Sequence, residues 1–263
     1  MLVLLPTSEG KAPAPHRGTP VDLAGLSFPD LTPTRARVLD EQVAVCSGGA
    51  EKAREILGLS PGLAAEVGRN AILATTPAVR VADLYAGVLH DSLGLSTLEP
   101  AARGRAGRAL LVFSGLREVL RLTDRVPPYR RLASDVAVPG TGPLPALWRP
   151  ALAAALARAT ARRLVLDLRS TAYGLMWRPE GAVAQRTVTV RVLSERRPGD
   201  AGSRMVVSHF NKATKGRLVR ALLASGATPA TFPGLVDALR GLGYEVESGS
   251  GRTPRLDVIV TGV

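Results

Sequence analysis

The chain is poor in the residues that build disulfides, metal sites and thiol chemistry. One of its 263 residues is cysteine and three are histidine, and the histidines lie far apart. A single cysteine excludes an internal disulfide, and isolated histidines lack the spacing of metal ligands. Cys46 lies on a predicted amphipathic helix without an activating neighbour, so we expect no peroxidatic thiol. The sequence therefore predicts no bound metal and no cofactor.

Long hydrophobic runs are also lacking. No stretch approaches the roughly 18 apolar residues needed to cross a bilayer. The start, MLVLLPTSEGK, has a short apolar run and no basic segment before it, which is not the pattern of a signal peptide. We expect a cytoplasmic protein without a membrane partner. The sequence leaves the oligomeric state open.

Basic residues are abundant, but few of them are lysine. The chain has 34 lysines and arginines against 22 acidic residues, a net charge of +12, and its four lysines are Lys11, Lys52, Lys212 and Lys215. A charge of this size attracts polyanions such as DNA. Because the basic residues are scattered, a solvated basic surface explains them equally well.

Short apolar segments predict the strands. Three of them, residues 1–6, 109–115 and 164–170, are predicted to be buried strands. Four more are predicted to form two hairpins, 187–195 with 205–210 and 243–248 with 256–263. Residues 126–136 are expected to be extended or rich in turns because of their prolines.

Helical spacing predicts the remaining elements. Thr32 or Thr34 is expected to cap the first helix, which runs to about residue 46. The other expected helices cover about 51–73 with a turn at 58–62, 81–94, 97–107, 145–163, 212–224 and 232–242. Pro150 is expected to interrupt or reset the first turn of the helix at 145–163. Buried strands mixed with helices and late hairpins indicate a single α/β (α+β) domain over residues 1–263, with a mixed sheet surrounded by helices.

Polar side chains are concentrated directly after four predicted strands. In open sheets the crevice beyond the strand ends is the usual ligand site. We therefore expect these residues to meet in one pocket that binds a small anion or a nucleic-acid phosphate. They are Ser8, Glu9, Lys11, Ser114, Asp124, Tyr129, Arg130, Asp167, Arg169, Ser170, Tyr173, Ser208, His209, Asn211, Lys212 and Lys215.

The segment VVSHFNKATKGRLVRALL (206–223) holds two of the four lysines. With Asn211 as the N-cap, Lys212 and Lys215 project from the same helix face as the apolar stripe at 218–223. A cation at this end of a helix is disfavoured by ~0.3–1 kcal/mol. Two inward lysines therefore call for an anion, and helix N-termini favour phosphate or carboxylate. Arg217 and Arg220 are expected to point toward water.

A structural network is the alternative explanation for the lysine pair. Glu9, Asp124 and Asp167 would then neutralise the two ammonium groups inside the protein. If the cluster is instead catalytic, Lys212 and Arg169 would hold the anion. Glu9 or Asp167 would act as general base, with Asp124 nearby, and Lys215 as an activated amine.

Four segments carry a resemblance to a known family. LLPTSEGK (4–11), SGLREVLRLTDRVPPYR (114–130), LDLRSTAYGLMWRP (166–179) and residues 206–223 resemble, in that order, the YaaA family of peroxide-stress proteins. The segment DLYAGVLHDSL (83–93) is also similar. The resemblance covers nearly the whole chain.

The resemblance implies a YaaA-type fold, a cytoplasmic location and a role in resisting hydrogen peroxide. It also implies DNA binding and less damage from intracellular iron. The polar positions that match the family are Ser8, Glu9, Lys11, Tyr85, Ser114, Asp124, Tyr129, Arg130, Asp167, Arg169, Ser170, Tyr173, Asn211, Lys212, Lys215, Gly216 and Arg217.

The sequence departs from the family pattern after Leu116. An aromatic residue, a glycine and a later proline are usual there, whereas this chain has Arg117, Glu118 and Leu122. We expect a charged turn that favours a helix, and altered partners or substrate.

A helix-hairpin-helix DNA element implied by the resemblance has two partial matches. They are ILGLSPGLAAEV (56–67), which has Ala64 where a second glycine is usual, and FPGLVDAL (232–239).

The sequence as a whole leaves two functional hypotheses. The first is a DNA-binding, peroxide-protective protein. The second is an enzyme that acts on a phosphorylated, nucleotide-like or carboxylate-bearing small molecule.

Overall fold

A computed structural model describes most of the chain. The ranges it describes are 1–130, 137–138, 142–197, 199–206, 208–249 and 253–261, with the backbone alone for 137–138, 201 and 208–210.

The strands follow the predicted apolar segments. They are β1 (Leu2–Pro6), β2 (Val79–Arg80), β3 (Leu110–Phe113), β4 (Arg125–Val126), β5 (Ala137–Val138), β6 (Gly142–Pro143), β7 (Val165–Asp167), β8 (Thr187–Glu195), β9 (Arg204–Val206), β10 (Glu245–Gly249) and β11 (Arg255–Thr261).

The α-helices lie between the strands. They are α1 (Thr32–Ser47), α2 (Ala50–Ile56), α3 (Ala64–Ala71), α4 (Val81–Leu84), α5 (Val88–Leu93), α6 (Pro100–Ala109), α7 (Leu144–Thr160), α8 (Thr171–Gly174), α9 (Gly181–Gln185), α10 (Ser208–Ser225) and α11 (Phe232–Gly241). Short 3-10 turns occupy Pro29–Leu31, Pro61–Leu63, Leu95–Thr97 and Ala201–Ser203.

One mixed sheet organises the molecule. Its strand order is β10-β11-β8-β7-β1-β3, and β9 pairs with the end of β8. The five strands from β11 to β3 run parallel, whereas β10 and β9 are antiparallel to their neighbours. The mixed sheet surrounded by helices is therefore confirmed. Because β1 lies between β7 and β3, the carboxyl ends of these three strands meet at one edge.

Both faces of the sheet are buried, which explains why its strands are continuously apolar. Val3 and Leu5 of β1 pack on the side covered by α4, α5, α6, α10 and α11. Leu2 and Leu4 pack on the opposite side, against α1, α2, α3 and α7.

Several predicted elements have different bounds. The helix expected at 81–94 is broken into α4 and α5, because the backbone around Tyr85 turns extended and bridges Lys11. Pro150 does not interrupt α7. The hairpin partner expected at 205–210 is strand only to Val206, and α10 begins at Ser208. The predictions at 131–136 and 262–263 lie outside the described residues.

Gly216 allows α10 to lie directly on α5. A Cβ at this position would fall 2.3 Å from the carbonyl oxygen of Leu89 and 2.8 Å from Ser92 Cβ. We expect Gly216→Ala to lower the free energy of unfolding by ~1–3 kcal/mol, the range for overpacking a core. Urea denaturation checks this. Gly107→Ala in α6 is the matched control, since nothing lies within 4 Å of its added Cβ, and an unchanged Gly216→Ala variant would contradict the close packing.

Candidate functional site

A cavity of about 600 Å³ opens at the carboxyl edge of β1 and β7. The loop after β1, the start of α5, the loop after β7 and the first turns of α10 surround it. Its lining residues are Pro6, Thr7, Ser8, Glu9, Lys11, Gly87, Val88, Leu89, His90, Tyr129, Leu168, Arg169, Ser170, Ala172, Tyr173, Asn211, Lys212 and Lys215.

Three of the chain's four lysines line this cavity. They are Lys11, Lys212 and Lys215, and we refer to the cavity as the three-lysine pocket. Among the residues that the structure describes, none of the three forms an ion pair, and the nearest carboxylates already pair with arginines, Glu9 with Arg130 and Asp167 with Arg169. The pocket therefore concentrates positive charge.

Lys11 is held against aromatic rings. Its Nζ donates a hydrogen bond of 2.6 Å to the carbonyl oxygen of Ser8 and lies 4.4 Å from the ring centroid of Tyr129. Burial, and then repulsion from Arg130, lowers the pKa of Lys11 to about 8. Part of this side chain is therefore neutral near physiological pH.

Lys215 and Lys212 come from α10. Lys215 is half-buried, and burial lowers its pKa although Asp167 acts in the opposite direction. Lys212 is exposed at the rim. Asn211 lies one turn inside α10 and is not its N-cap, because the helix begins at Ser208. Lys212 and Lys215 therefore lie farther from the helix N-terminus than the sequence predicts, and the positive end of the helix destabilises their charges less than expected.

Asn211 adds a polar group to the pocket wall. Its Oδ1 is buried and has no hydrogen-bond partner among the described residues. A buried acceptor without a donor costs ~1–3 kcal/mol. A ligand that brings both an anionic group and an N–H or O–H donor would satisfy this wall.

A chain of hydroxyl groups fixes the floor of the pocket. The hydroxyl of Tyr129 donates to the carbonyl oxygen of Ser114 at 2.5 Å and lies 3.3 Å from the hydroxyls of Thr7 and Tyr85. Burial raises the pKa of both tyrosines. Ser114 itself does not line the pocket; its Oγ accepts from the N–H of Arg117.

His90 is a pocket residue that the sequence analysis set aside. Its Nε2 lies 3.1 Å from the carbonyl oxygen of Pro6, so this nitrogen carries the proton, and its ring stacks on Tyr85 with centroids 5.3 Å apart. Burial lowers the pKa of His90 to about 4, and it is a neutral donor that holds the end of β1.

Arg169 acts as a structural clamp. Its guanidinium pairs with both carboxylate oxygens of Asp167 at 2.9 and 2.7 Å, and donates to the carbonyl oxygens of Tyr173 and Trp177. It also lies 4.4 Å from the ring centroid of Phe113. Because most of its N–H groups already donate within the protein, Arg169 shapes the pocket wall and has no pair of N–H groups left for a bidentate contact with a ligand.

The remaining predicted residues divide into pocket and non-pocket positions. Ser8, Glu9, Ser170 and Tyr173 line the cavity. Arg130 does not line the cavity, although it pairs with Glu9, which does. Asp124 also lies outside, where its carboxylate accepts from the N–H and Oγ of Ser27 and from the N–H of Arg121.

Two arginines on α10 behave differently from one another. Arg217 is exposed and outside the pocket. Arg220 does not point to water as predicted, because its guanidinium donates to the carbonyl oxygens of Leu93, Gly94 and Thr97. The side chain of His209 lies outside the described part of the chain.

The charged segment after Leu116 does not form the expected helix-favouring turn. Arg117 and Glu118 are fully buried, and their side-chain nitrogens and oxygens have no hydrogen-bond partner among the described residues. Glu118 has φ of 41°, a left-handed conformation that favours glycine. Arg35 fixes this backbone by donating to the carbonyl oxygens of Arg117 and Val119.

Both partial helix-hairpin-helix matches are helix starts. Residues 56–67 cover the end of α2, the connection to α3 and the first turn of α3. At the start of α11, Thr231 already accepts the N–H of Gly234 through its side chain, so this N–H is occupied.

Within the described ranges no cluster of three histidine, cysteine or carboxylate side chains could hold a metal, and burial raises the pKa of Cys46 to about 11.

Among the helices that the structure describes, none combines the length and the apolar character needed to cross a bilayer.

The sequence analysis missed the contribution of α5. Thr7, Gly87, Val88 and Leu89 also line the pocket. Gly87, at φ of 108°, lets the start of α5 approach Ser8, because a Cβ there would lie 2.7 Å from Ser8 Oγ. The glycine between Tyr85 and His90 is the signal in the sequence that the helix breaks there.

The fold and the site define an α/β protein with a lysine-lined cavity at the carboxyl edge of its parallel strands. The family model for peroxide stress protein YaaA matches residues 1–249. The chain belongs to the YaaA family.

Close relatives carry the UPF0246 name. A UPF0246 protein of Streptomyces coelicolor is 53% identical over 264 residues, covering 99% of this chain and 98% of the relative. UPF0246 proteins of Corynebacterium efficiens and Corynebacterium glutamicum are 39% and 34% identical, each over 99% of this chain and 100% of the relative. The family name ties the chain to peroxide stress.

Proposed function

We propose that this chain limits peroxide damage in the cytoplasm by binding phosphate groups in the three-lysine pocket, with DNA as the leading partner. The observation that carries the proposal is the gathering of Lys11, Lys212 and Lys215 in one cavity without ion-pair partners among the described residues. Lysine is a compact point charge suited to phosphate, and this arginine-rich chain uses it mainly here.

The size of the cavity restricts how DNA could bind. About 600 Å³ is within the usual range of small-ligand pockets, roughly 300–1,000 Å³. A duplex is too wide to enter, whereas one nucleotide of a single strand or a strand end fits. The net charge of +12 would draw the polyanion to the surface before one phosphate enters the pocket.

The enzyme hypothesis has less support. A general base needs an accessible carboxylate in the pocket. Asp167 is paired with Arg169, and Asp124 is outside the cavity and bound to Ser27 and Arg121. Glu9 lines the pocket but is paired with Arg130 at the surface. These three carboxylates are therefore better placed to stabilise the fold than to transfer a proton.

We expect binding of a deoxyadenosine dinucleotide to weaken as pH rises from 7 to 9. Its phosphodiester keeps one charge in this range, whereas Lys11, with a pKa of about 8, loses its proton. One lost charge pair should lower affinity several-fold, since a pair at 4 Å is worth ~1 kcal/mol in water and more near a protein. Calorimetric titration at the two pH values measures this.

Variants identify the groups responsible. Lys11→Met should remove most of the pH dependence and leave the part due to Lys215, whose pKa burial also lowers. Lys212→Met with Lys215→Met should abolish binding at both pH values. Lys52→Met is the control, because Lys52 is exposed on α2, away from the pocket. Dinucleotide affinity that is unaffected by the double variant would refute the proposal. For longer single strands, each lysine that contacts a phosphate should contribute about 0.7 to the slope of log affinity against log salt concentration.

A further inference from the structure

The three pocket lysines occupy different surroundings, and Lys11 is the one enclosed by aromatic rings. Its Nζ lies 4.4 Å from the ring centroid of Tyr129 and 5.6 Å from that of Tyr85. Lys11 and Lys215 are both half-buried, and Lys212 is exposed. The two ring faces beside its amine therefore distinguish Lys11 from Lys212 and Lys215, which line the same cavity. This difference in surroundings indicates a different role for Lys11.

The aromatic wall offers Lys11 no group that would hold it as an ion pair. The hydroxyl of Tyr129 is used by the carbonyl oxygen of Ser114 and by the hydroxyl of Tyr85. The rings therefore present their faces, which exclude water. Ring faces favour a cation, but the loss of hydration dominates, and burial is the largest cause of the lowered pKa of Lys11.

When its amine is neutral, Lys11 can still donate a hydrogen bond and also has a lone pair that can react. One N–H can still donate to the carbonyl oxygen of Ser8, which is 2.6 Å from Nζ. The lone pair is then available to the cavity. With a pKa of about 8, about a tenth of Lys11 is neutral at pH 7. An ordinary exposed lysine is neutral in well under a hundredth of molecules at that pH.

We propose that Lys11 is a reactive amine that forms an imine with a carbonyl compound bearing an anionic group. The proposal rests on the proposed function in one respect: Lys212 and Lys215 hold the anionic group of that compound, such as a phosphate. Asn211 Oδ1, buried in the same wall without a partner among the described residues, accepts a hydroxyl or N–H of the compound.

The covalent step needs no oxidant, reductant or metal. The lone pair of Lys11 Nζ attacks the carbonyl carbon, and the carbonyl π pair moves to oxygen. A proton passes from nitrogen to that oxygen to give a carbinolamine. The C–O bond then breaks, the oxygen leaves as water with the second amine proton, and a C=N bond remains.

Pyridoxal 5′-phosphate is a suitable probe, because it carries an aldehyde and a phosphate. The purified chain is incubated with a low concentration of it, the imine is fixed with borohydride, and labelled peptides are quantified by mass spectrometry. Lys52 is an internal control, since it is exposed and outside the pocket. We expect Lys11 to be labelled at least tenfold faster than Lys52, with a rate that levels off above pH 8.

Further arms keep the test decisive. Lys11→Met should lose the fast label, and Lys52→Met should retain it. A circular dichroism spectrum and an unfolding midpoint of Lys11→Met that match the wild type guard against a folding defect. Pyridoxal, which lacks the phosphate, should label Lys11 more slowly than the phosphorylated probe. Equal rates at Lys11 and Lys52, or a fast label on Lys212 or Lys215 in place of Lys11, would overturn the proposal.

Failure of this inference can be separated from failure of the phosphate site. If the dinucleotide binds with the expected pH dependence but Lys11 shows no selective label, the reactive amine is wrong and the phosphate site remains. If Lys11 is labelled selectively, equally by both aldehydes and without protection by excess dinucleotide, the amine is reactive and the anion-binding role of Lys212 and Lys215 is wrong.

Discussion

Replacing Arg169 with methionine is expected to lower the free energy of unfolding by ~3–5 kcal/mol, the range for breaking a buried ion pair. The Arg169 side chain is 2% exposed and its pairing with Asp167 has two short contacts, at 2.9 and 2.7 Å. Its loss would leave a carboxylate unpaired and the carbonyl oxygens of Tyr173 and Trp177 without their donors. Denaturant unfolding, monitored by circular dichroism, measures the effect.

The matched control is an ion pair in water. Arg80 and Asp83 form an exposed pair three residues apart, at 59% and 49% exposure. Arg80→Met should change stability by no more than about 1 kcal/mol, because exposed pairs contribute little. If Arg169→Met were as mild as Arg80→Met, the description of Arg169 as the clamp of the pocket wall would be wrong. Methionine fills a similar volume, so a large loss would report the lost polar contacts.

Replacing Glu118 with glycine is expected to stabilise the protein. Two costs disappear together: the left-handed backbone at φ of 41° and a fully buried carboxyl without a hydrogen-bond partner among the described residues. The first is worth ~1–2 kcal/mol and the second ~1–3 kcal/mol, against a loss of ~0.5–1 kcal/mol for the flexibility of glycine in the unfolded chain. Together these contributions predict a net gain of ~1–4.5 kcal/mol.

The gain should depend on pH. Burial raises the pKa of Glu118 from 4.5 to about 8, although Arg169, the nearby backbone N–H groups of Gly115 and Ser114, and Arg35 all act in the opposite direction. Those N–H groups are near the carboxyl but form no hydrogen bond of good geometry with it. The folded protein therefore keeps a proton that the unfolded chain releases above pH 4.5. The stability due to this bound proton is complete below pH 4.5 and is lost as pH rises to about 8, so glycine should help most at pH 8 and above.

Two further variants separate charge from backbone strain. Glu118→Gln removes the titrating group but keeps a side chain at positive φ, so it should remove the pH dependence with a smaller gain. Arg162→Gly is the control for strain alone, since Arg162 has φ of 55° and is exposed; its gain should be small and independent of pH. A Glu118→Gly variant less stable than the wild type at pH 8 would contradict the cost assigned to this residue.

The sequence predicted the elements that depend on local pattern. β1, β3 and β7 are recognisable because a strand buried on both faces is continuously apolar. The exits of β1 and β7 meet at the pocket because parallel neighbours end at the same edge of the sheet, whereas Ser114, directly after β3, stays outside it. The inward direction of Lys215 follows from helical spacing, which places it on the same face as Leu218 and Leu222.

Tertiary contacts decided the features that the sequence analysis missed or misplaced. Arg220 is drawn to the end of α5 by carbonyl groups far away in sequence, so periodicity alone predicts it to be solvated. Asp124 follows β3 in sequence, but the intervening loop carries it away from the pocket to Ser27. His90 joins the site because α5 packs over the end of β1, which no spacing of histidines could indicate.

The most direct test of the phosphate site is a crystal structure of the chain soaked with tungstate, a heavy analogue of phosphate. Anomalous scattering locates the tungsten atom independently of the surrounding density. The account predicts a peak inside the three-lysine pocket, within hydrogen-bond reach of Lys215 and Lys212. Tungstate bound only to arginines on the outer surface, with the pocket empty, would contradict it.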